Sequence, residues 1–274
     1  MTDVALVTGT SSGMGMHTAV DLASRGLRVV ATMRDTGRSD RLREAAADAG
    51  VDLDIRALDV VDHAAAVRLV EEVVREHGSI DVLVNNAGQG SVGTAEQLSM
   101  AQIRAQLEVN YLAPVNLAKL VLPGMRERGY GHILTVTSVG GTVGQPFADA
   151  YCGAKFAVEG FMQSLSVVAE RFGVHVGVIE PAAVASEFVA NAILPTDAGP
   201  YRHLLEAYVS RTSGAFANAQ TAQSAAVAIA DAATSDEFRF RWQTSEAASA
   251  FVGISLKDLD GLGVLTFTRP WIAA

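Results

Sequence analysis

Residues 4–15 read VALVTGTSSGMG, and this stretch decides the fold. Its apolar first half is typical of a buried strand, the glycines follow in the pattern TGxxxGxG, and helical spacing begins after them. Glycines at such a junction let the chain turn tightly and let a pyrophosphate approach the amides of a helix N-terminus. The stretch therefore predicts a dinucleotide site, against the alternative of a tight turn that merely joins two elements. The residues that we assign to this site are Gly9, Ser11, Ser12, Gly13, Met14 and Gly15.

Outward from this turn, strand-like and helix-like segments alternate along the chain. Such alternation predicts βαβ units and a parallel α/β sheet with helices on both faces. In sheets of this kind, ligands bind outside the carboxyl ends of the strands. The predicted strands cover residues 4–8, 27–33, 51–58, 80–84, 131–137, 174–179 and 238–243, and the predicted helices cover 14–25, 38–49, 63–77, 101–128 (adjusted near Pro114), 150–172 and 221–233.

The end of the second strand bears on which dinucleotide is bound. A carboxylate there favours the ribose 2′-hydroxyl of NAD(H), whereas an arginine favours the 2′-phosphate of NADP(H). Here Met33 stands where the acid would be, and Arg34 follows it. We therefore favour NADP(H). Asp35 can itself reach a ribose hydroxyl or pair with Arg34, which keeps NAD(H) as the alternative.

The third and fourth strand ends add weaker cofactor signals. Asp59 and Val60 offer a carboxylate and an amide to the adenine, although an aspartate in this position is more often a helix cap or turn residue. Asn86, Ala87 and Gly88 leave room for a ribose beside an asparagine, and the alternative is an Asx-turn.

The middle of the chain holds the candidate chemistry. Tyr151 and Lys155 are four residues apart, which places a phenol and an ammonium on one helix face. A nearby positive charge favours the phenolate, so we expect the pKa of Tyr151 to move towards neutrality. Ser138, at the end of the fifth strand, is placed to hydrogen-bond the same substrate oxygen. Taken alone this spacing is common, and Asn110 alone is an ordinary buried helix asparagine.

Composition narrows the classes of protein further. The 274 residues carry 21 Lys and Arg against 30 Asp and Glu, a formal charge of −9, which argues against a general nucleic-acid or anionic-membrane surface. One cysteine, Cys152, permits no internal disulfide and fits a reducing compartment. The first residues lack a signal-peptide pattern, and no apolar run reaches the roughly 20 residues of a membrane span. We expect a cytoplasmic protein without metal, since the six histidines show no metal-ligand spacing.

In order and spacing, TGxxxGxG, Asn-Asn-Ala-Gly, Asn110, Ser138 and Tyr151-x-x-x-Lys155 resemble the short-chain dehydrogenase/reductase family. The resemblance covers about residues 3–190, and the framework is most similar to the 17β-hydroxysteroid dehydrogenase type 1 and retinol dehydrogenase group. It implies a Rossmann-type, doubly wound α/β/α fold of about seven parallel strands, with a catalytic tetrad and an oligomer, either a homodimer or a homotetramer. The residues of the implied tetrad are Asn110, Ser138, Tyr151 and Lys155.

The resemblance also assigns a nicotinamide segment after the sixth strand. Pro181, Val184 and Ser186 match positions that hold the carboxamide, and Tyr151 and Lys155 also contact the cofactor. Ala182 stands where the family usually has glycine, which puts the local backbone path in question.

These observations lead to one functional expectation and two alternatives. The chain is expected to be one catalytic domain, residues 1–274, with a substrate lid at about 187–215 and a tail at about 244–274. It would transfer a hydride between NADP(H) and a carbonyl or secondary alcohol of a hydrophobic small molecule. The alternatives are an NAD(H)-preferring alcohol dehydrogenase of the same family and a non-catalytic NADP(H)-binding redox sensor.

Overall fold

The computed structural model describes residues 2–188, 192, 198–217, 219–259 and 262–272. Seven of its strands form one parallel sheet in the order β3-β2-β1-β4-β5-β6-β9, while β7 and β8 pair separately. This confirms the predicted Rossmann-type sheet. The strands are β1 (Val4–Thr8), β2 (Arg28–Met33), β3 (Asp54–Ala57), β4 (Val82–Asn85), β5 (Gly131–Val136), β6 (Val174–Glu180), β7 (Val184–Ala185), β8 (Gln220–Thr221) and β9 (Arg241–Gln243).

Helices cover both faces of this sheet because strand residues alternate between two apolar cores. Val4 and Leu6 of β1 face one core with helices of the α3, α5 and α6 group, and Ala5 and Val7 face the other core with α1 and α8. The helices are α1 (Gly13–Ser24), α2 (Asp40–Ala49), α3 (His63–His77), α4 (Met100–Leu107), α5 (Ala113–Arg128), α6 (Asp149–Ala169), α7 (Arg202–Ala217), α8 (Ala222–Thr234), α9 (Glu246–Ser255) and α10 (Leu262–Thr268).

The helix predicted over residues 101–128 is interrupted at a different position from the one expected at Pro114. A π-helical turn, Glu108–Leu112, separates α4 from α5. Pro114 lies in the first turn of α5, where a missing amide donor costs little. The wide turn, and not the proline, interrupts the helix, and it carries Asn110.

The carboxyl ends of the strands bring the predicted site residues to one edge of the sheet. β1 lies between β2 and β4, and β4 lies beside β5, which in turn pairs with β6. The segments that follow these strands therefore meet on one side: the glycine turn, Arg34, Asn86, Ser138 and Pro181. The order of the strands reverses at β1, which is where an open α/β sheet forms its ligand crevice.

Candidate active site

The glycine turn after β1 is packed so closely that side chains would not fit. Gly9 has φ +71°, and a Cβ built there would lie 2.8 Å from Ala87 Cα. Gly15 approaches still closer, because a Cβ there would lie 2.2 Å from the side-chain nitrogen of Asn86. Gly13 has φ +61° and faces Ser186, whose Cβ would be 3.4 Å away. The turn thus depends on glycine for both conformation and space.

Asn86 braces this turn from the end of β4. Its side-chain amide donates to the carbonyls of Thr8 (2.8 Å) and Gly9 (3.1 Å). In the opposite direction, the Thr8 hydroxyl oxygen accepts from the amides of Asn86 and Ala87, both at 3.0 Å. Asn86 therefore positions the glycine turn through its side chain. Thr8 was missed by sequence reasoning, although a threonine at a strand end before such a turn was a usable signal.

The N-terminus of α1 suits an anionic pyrophosphate. Ser12 is the residue before the helix, its side chain makes no capping hydrogen bond, and the first turn contains no acidic residue. First-turn amides and the helix dipole favour a negative group. Together with the glycine cradle, this donor set fits a dinucleotide at Ser11, Ser12 and Met14, all of which are partly buried.

The end of β2 presents a cation to the same edge. Met33 is buried, and Arg34 is exposed. In the described parts of the chain, Arg34 lies within ion-pair distance of no carboxylate, so the alternative of an Arg34–Asp35 pair is not observed. One oxygen of Asp35 accepts from the amide of Gly37 at 2.9 Å. This hydrogen bond engages one carboxylate oxygen of Asp35, and the Arg34 guanidinium stays available to a phosphate.

Asp59 and Val60 follow the end of β3, at the edge of the sheet where they were predicted to lie. The Asp59 carboxylate is exposed and accepts from the amide of Val61 at 3.3 Å, a turn-type contact. Val60 is buried. The geometry is compatible with the adenine edge and with the plainer turn role.

Ser138, Tyr151 and Lys155 are brought together between β5 and α6. The Ser138 hydroxyl lies close enough to the Tyr151 phenol to oppose the rise in the phenol's pKa, and the Ser138 oxygen accepts from the amide of Gly140 at 3.0 Å. Lys155 is buried; its ammonium donates to the Val136 carbonyl at 2.9 Å and lies 5.8 Å from the centre of the Tyr151 ring. A phenol, a hydroxyl and an ammonium thus share one small volume.

The pKa of Tyr151 differs from the sequence-based expectation. Burial raises the pKa of the phenol well above its usual value, and the hydrogen bond with Ser138 only partly opposes this. Burial also lowers the pKa of Lys155 to about 8, against the attraction of the Glu159 carboxylate. Desolvation outweighs the expected lowering of the phenol pKa, so Tyr151 is a neutral acid at neutral pH.

Asn110 acts on the segment that follows Asn86. Its side-chain amide donates to the Gln89 carbonyl (2.9 Å) and to the Gln106 side chain (3.1 Å), while its oxygen accepts from the Gln89 amide (3.3 Å). A Cβ built on Gly88 would lie 3.0 Å from that oxygen and 3.7 Å from the Lys155 ammonium. Asn110 and Lys155 therefore both lie close to Gly88.

The segment after β6 returns to the glycine turn. The Pro181 carbonyl accepts from the amide of Val139 at 3.0 Å, and Val184 is buried in β7. Ser186 lies against Gly13. Ala182 is not among the positive-φ residues of the described chain, where Phe147 is the one non-glycine example. The alanine thus follows an ordinary backbone path and packs with Val139, Ala248, Val252 and Phe251.

Aromatic side chains and part of the tail lie near Tyr151 and Ser138. The rings of Phe188 and Tyr151 are 5.7 Å apart, and Phe147 contacts Tyr208 of α7 at 5.6 Å. Helix α9 packs against Val139, so part of the tail lies over its own chain near Ser138. Of the predicted lid, residues 189–191 and 193–197 lie outside the described residues.

A set of possible metal ligands lies at the opposite edge of the sheet. Within the described ranges, Asp54, Glu76 and His77 are close enough together to share an ion. Arg56 already binds both carboxylates, each at 2.5 Å. The cluster is therefore explained by its arginine.

No helix in the described part of the chain is both long and apolar enough to span a membrane.

A glycine turn at a sheet edge beside a Ser, Tyr and Lys set defines a dinucleotide-dependent oxidoreductase of the α/β class. The family model for short chain dehydrogenase matches residues 3–195. The chain belongs to the short-chain dehydrogenase/reductase family, whose members use NAD(P)(H), and it is a dehydrogenase/reductase.

Two relatives agree with the predicted group. Human retinol dehydrogenase 8 is 36% identical over 273 residues, covering 95% of this chain and 86% of that protein. Mouse 17-beta-hydroxysteroid dehydrogenase type 1 is 39% identical over 229 residues, covering 79% of this chain and 66% of that protein.

Solved structures agree with the fold. A short-chain dehydrogenase from Streptomyces avermitilis superposes with a TM-score of 0.83 at 28% identity, covering 98% of this chain and 97% of that chain. A metagenomic short-chain oxidoreductase in complex with NADP has a TM-score of 0.63 at 33% identity, covering 65% of this chain and 81% of that one.

Proposed function

We propose that the protein is an NADP(H)-dependent reductase and dehydrogenase that acts on a carbonyl or secondary alcohol of a hydrophobic small molecule. The observation that carries this proposal is the grouping of Tyr151 and Ser138 with Lys155 buried beside them, its ammonium 5.8 Å from the centre of the Tyr151 ring, at the edge that holds the glycine turn. When bound, the nicotinamide supplies or accepts the hydride.

The side chains of the site perform the acid–base half of the reaction. Tyr151 donates its phenolic proton to the developing alkoxide during reduction and removes that proton during oxidation. Ser138 hydrogen-bonds the same oxygen and orients it. Lys155 holds the ribose hydroxyls, and Asn110 fixes the Gly88–Gln89 backbone next to it. The neutral phenol of the free protein is already in the form needed for reduction.

Arg34 supports NADP(H) as the preferred cofactor. It is an exposed guanidinium at the end of β2, and Arg–phosphate contacts can be bidentate. Met33 occupies the neighbouring buried position, and Asp35 is engaged with Gly37. A metagenomic relative was solved with NADP. NAD(H) preference is the alternative, and a comparison of the two cofactors decides between them.

Aromatic rings support a hydrophobic substrate. Phe188 lies against the catalytic tyrosine, and Phe147 and Tyr208 form a second aromatic contact on the lid side. The names of the two relatives refer to a retinol and a 17β-hydroxysteroid, which are both largely apolar alcohols. We infer the same chemical class here.

Three wider inferences accompany this proposal. Residues 1–274 are taken as one catalytic domain with the lid and tail defined above. A cytoplasmic setting is in keeping with the single, buried cysteine. A homodimer or homotetramer is supported by apolar side chains on α6 that are 46%, 68% and 60% exposed, namely Phe156, Val167 and Val168. Light scattering on the purified protein measures the oligomeric state.

The test of the activity is a spectrophotometric screen at about 340 nm with NADPH and NADH against ketones, aldehydes, quinones and the matching alcohols. Tyr151→Phe should lower turnover by about 10²–10⁴-fold, because a positioned proton donor is lost, while cofactor still binds. Near-normal turnover in this variant refutes the assignment. If the wild-type protein binds NADPH but turns over none of these compounds, the result supports the redox sensor instead.

A further inference from the structure

Beneath the catalytic side chains, two buried carboxylates converge on one guanidinium. Glu180 is 0% exposed and Glu159 is 3% exposed. A single Arg241 nitrogen, Nη1, donates to Glu159 Oε2 at 2.6 Å and also to Glu180 Oε1. The side-chain amide of Gln243 donates to the second oxygen of Glu180 at 2.5 Å. We refer to Glu159, Glu180, Arg241 and Gln243 as the acid–arginine cluster.

The acid–arginine cluster carries one negative charge more than its arginine neutralises when both carboxylates are ionised. Lys155 lies one helical turn before Glu159 on α6, so both side chains share a face of that helix. With Lys155 included, the buried charges balance: two carboxylates, one guanidinium and one ammonium. Burying an unpaired charge is very costly, so this balance matters to each member.

Several groups from other elements also face this region. Arg241 comes from β9 and Glu180 from β6. Tyr151 and Cys152 lie on α6 itself, and Tyr208 of α7 lies near both of them. Burial raises the pKa of both tyrosines and of the cysteine, which are therefore neutral near pH 7. Burial and Glu180 raise the pKa of Glu159, and Arg241 and Thr137 oppose that rise. The Glu159 carboxylate opposes the lowering of the Lys155 pKa that burial causes.

Glu159 also contacts the segment that carries Ser138. The Thr137 hydroxyl lies 2.8 Å from Glu159 Oε1, and Thr137 directly precedes Ser138. A Cβ built on Gly141 would lie 2.3 Å from the same oxygen, so the carboxylate fills the space beneath the turn after Ser138. Glu180 directly precedes Pro181, whose carbonyl binds the Val139 amide. One cluster thus joins α6 to the ends of β5, β6 and β9.

We propose that Glu159, held by Arg241, is a positioning residue that keeps Lys155 cationic and fixes the strand end that carries Ser138. This inference rests on the proposed function, because Lys155 must be cationic to assist Tyr151. Loss of the Glu159 charge should disfavour the charged form of Lys155, so activity should be lost at a lower alkaline pH.

The experiment compares Glu159→Gln with Glu159→Asp and a matched control, Asp81→Asn. Asp81 is also a buried carboxylate, 6% exposed, that accepts from Arg128 at 3.2 Å, but it lies at the opposite edge of the sheet. For each folded protein, kcat/KM for NADPH-dependent carbonyl reduction is measured from about pH 6 to 10, because its pH limits report groups of the free enzyme.

The alkaline limit of the wild-type profile should lie near the Lys155 pKa of about 8. Glu159→Gln should move that limit down by about one pH unit, as expected for removal of a nearby charge in a partly shielded site. Glu159→Asp keeps the charge and should restore most of the shift. Asp81→Asn should leave the limit unchanged even if it lowers thermal stability equally.

The outcomes separate this inference from the proposed function. An unchanged limit in folded Glu159→Gln, or an equal shift in Glu159→Asp, overturns the role of the charge. If Glu159→Gln does not fold, Thr137→Val decides, since it removes a hydroxyl 2.8 Å from Glu159 Oε1 that lowers the pKa of that carboxyl. It should move the limit in the same direction by a smaller amount, and no shift there overturns the inference. Near-normal turnover in Tyr151→Phe instead refutes the proposed function, and the inference falls with it.

Discussion

Replacing Gly9 by alanine tests the packing of the glycine turn directly. Gly9 has φ +71°, and a new Cβ would lie 2.8 Å from Ala87 Cα and 3.1 Å from the Asn86 side-chain nitrogen. The backbone conformation alone costs about 1–2 kcal/mol for an L-residue. The contact falls on backbone, which cannot rotate away, and should add roughly 1–3 kcal/mol of overpacking.

Gly50→Ala is a matched control for this substitution. Gly50 has φ +67°, close to that of Gly9, but a Cβ there would meet no atom within 4 Å. It ends α2 as the residue after the helix, away from the glycine turn. The control therefore carries the conformational cost without the contact, and the difference between the two variants isolates the contact.

The assays are urea unfolding and NADPH titration. Gly50→Ala should lose about 1–2 kcal/mol of unfolding free energy and bind NADPH as the wild type does. Gly9→Ala should lose roughly 1–3 kcal/mol more and bind NADPH at least about tenfold more weakly, because the turn must move away from Ala87. Equal losses in both variants, or wild-type NADPH affinity in Gly9→Ala, would refute the reasoning.

Two further predictions concern charge. Arg34→Ala should weaken NADPH binding by about 10–100-fold while NADH binding changes little, since hydrogen bonds to charged groups contribute about 1.5–3 kcal/mol. The control is Arg68→Ala, which removes an exposed arginine on α3. Equal losses of affinity for both cofactors in Arg34→Ala would contradict a role in binding the phosphate. His132 is buried and its pKa is lowered to about 4. The unfolded chain therefore binds the proton first, so stability should be complete above about pH 6.5 and fall by roughly 3 kcal/mol as the pH drops to 4. His132→Phe should flatten urea midpoints over this range, and an unaltered slope contradicts the assignment.

Much of the sheet could be predicted because its strands are short apolar runs followed by distinctive polar residues. The helix over His63–His77 was predicted with its observed bounds, since Asp62 caps its start and Gly78 follows its end. The third strand was predicted too long, from residue 51, whereas it begins at Asp54. Strand ends depend on partners: β3 extends only as far as its pairing with β2.

Local sequence patterns did not predict the acid–arginine cluster. Arg241 meets Glu159 and Glu180 across separations of 82 and 61 residues. No local motif links residues so far apart, and the sequence does not distinguish a buried helix glutamate from an exposed one. The packing of the tail escapes local sequence patterns for the same reason, because its contact with Val139 depends on how α9 folds back.

Single residues of the site were easier to name than their roles. The prediction that Asn86 contacts the cofactor stays a prediction, while its side chain is seen to bind the Thr8 and Gly9 carbonyls. The sequence contains the asparagine, but the packing of β1 against β4 determines which groups its amide meets. The pKa of Tyr151 differs from expectation for a similar cause, because burial cannot be read from the spacing of two residues.

The π-helical turn Glu108–Leu112 makes the number of residues in this segment a constraint in its own right. Each residue of an α-helix rotates the chain by about 100°. A π-helical turn holds one residue more than an α-helical turn, so removing one residue before Asn110 would let α4 run into α5 as a regular helix with the two helices still aligned. Asn110 itself would move back by one position and turn by about that angle. Gln106 and Gln89 could then no longer both bond to Asn110. A single-residue deletion before Asn110 would therefore leave both helices in place and still carry the asparagine away from Gln89.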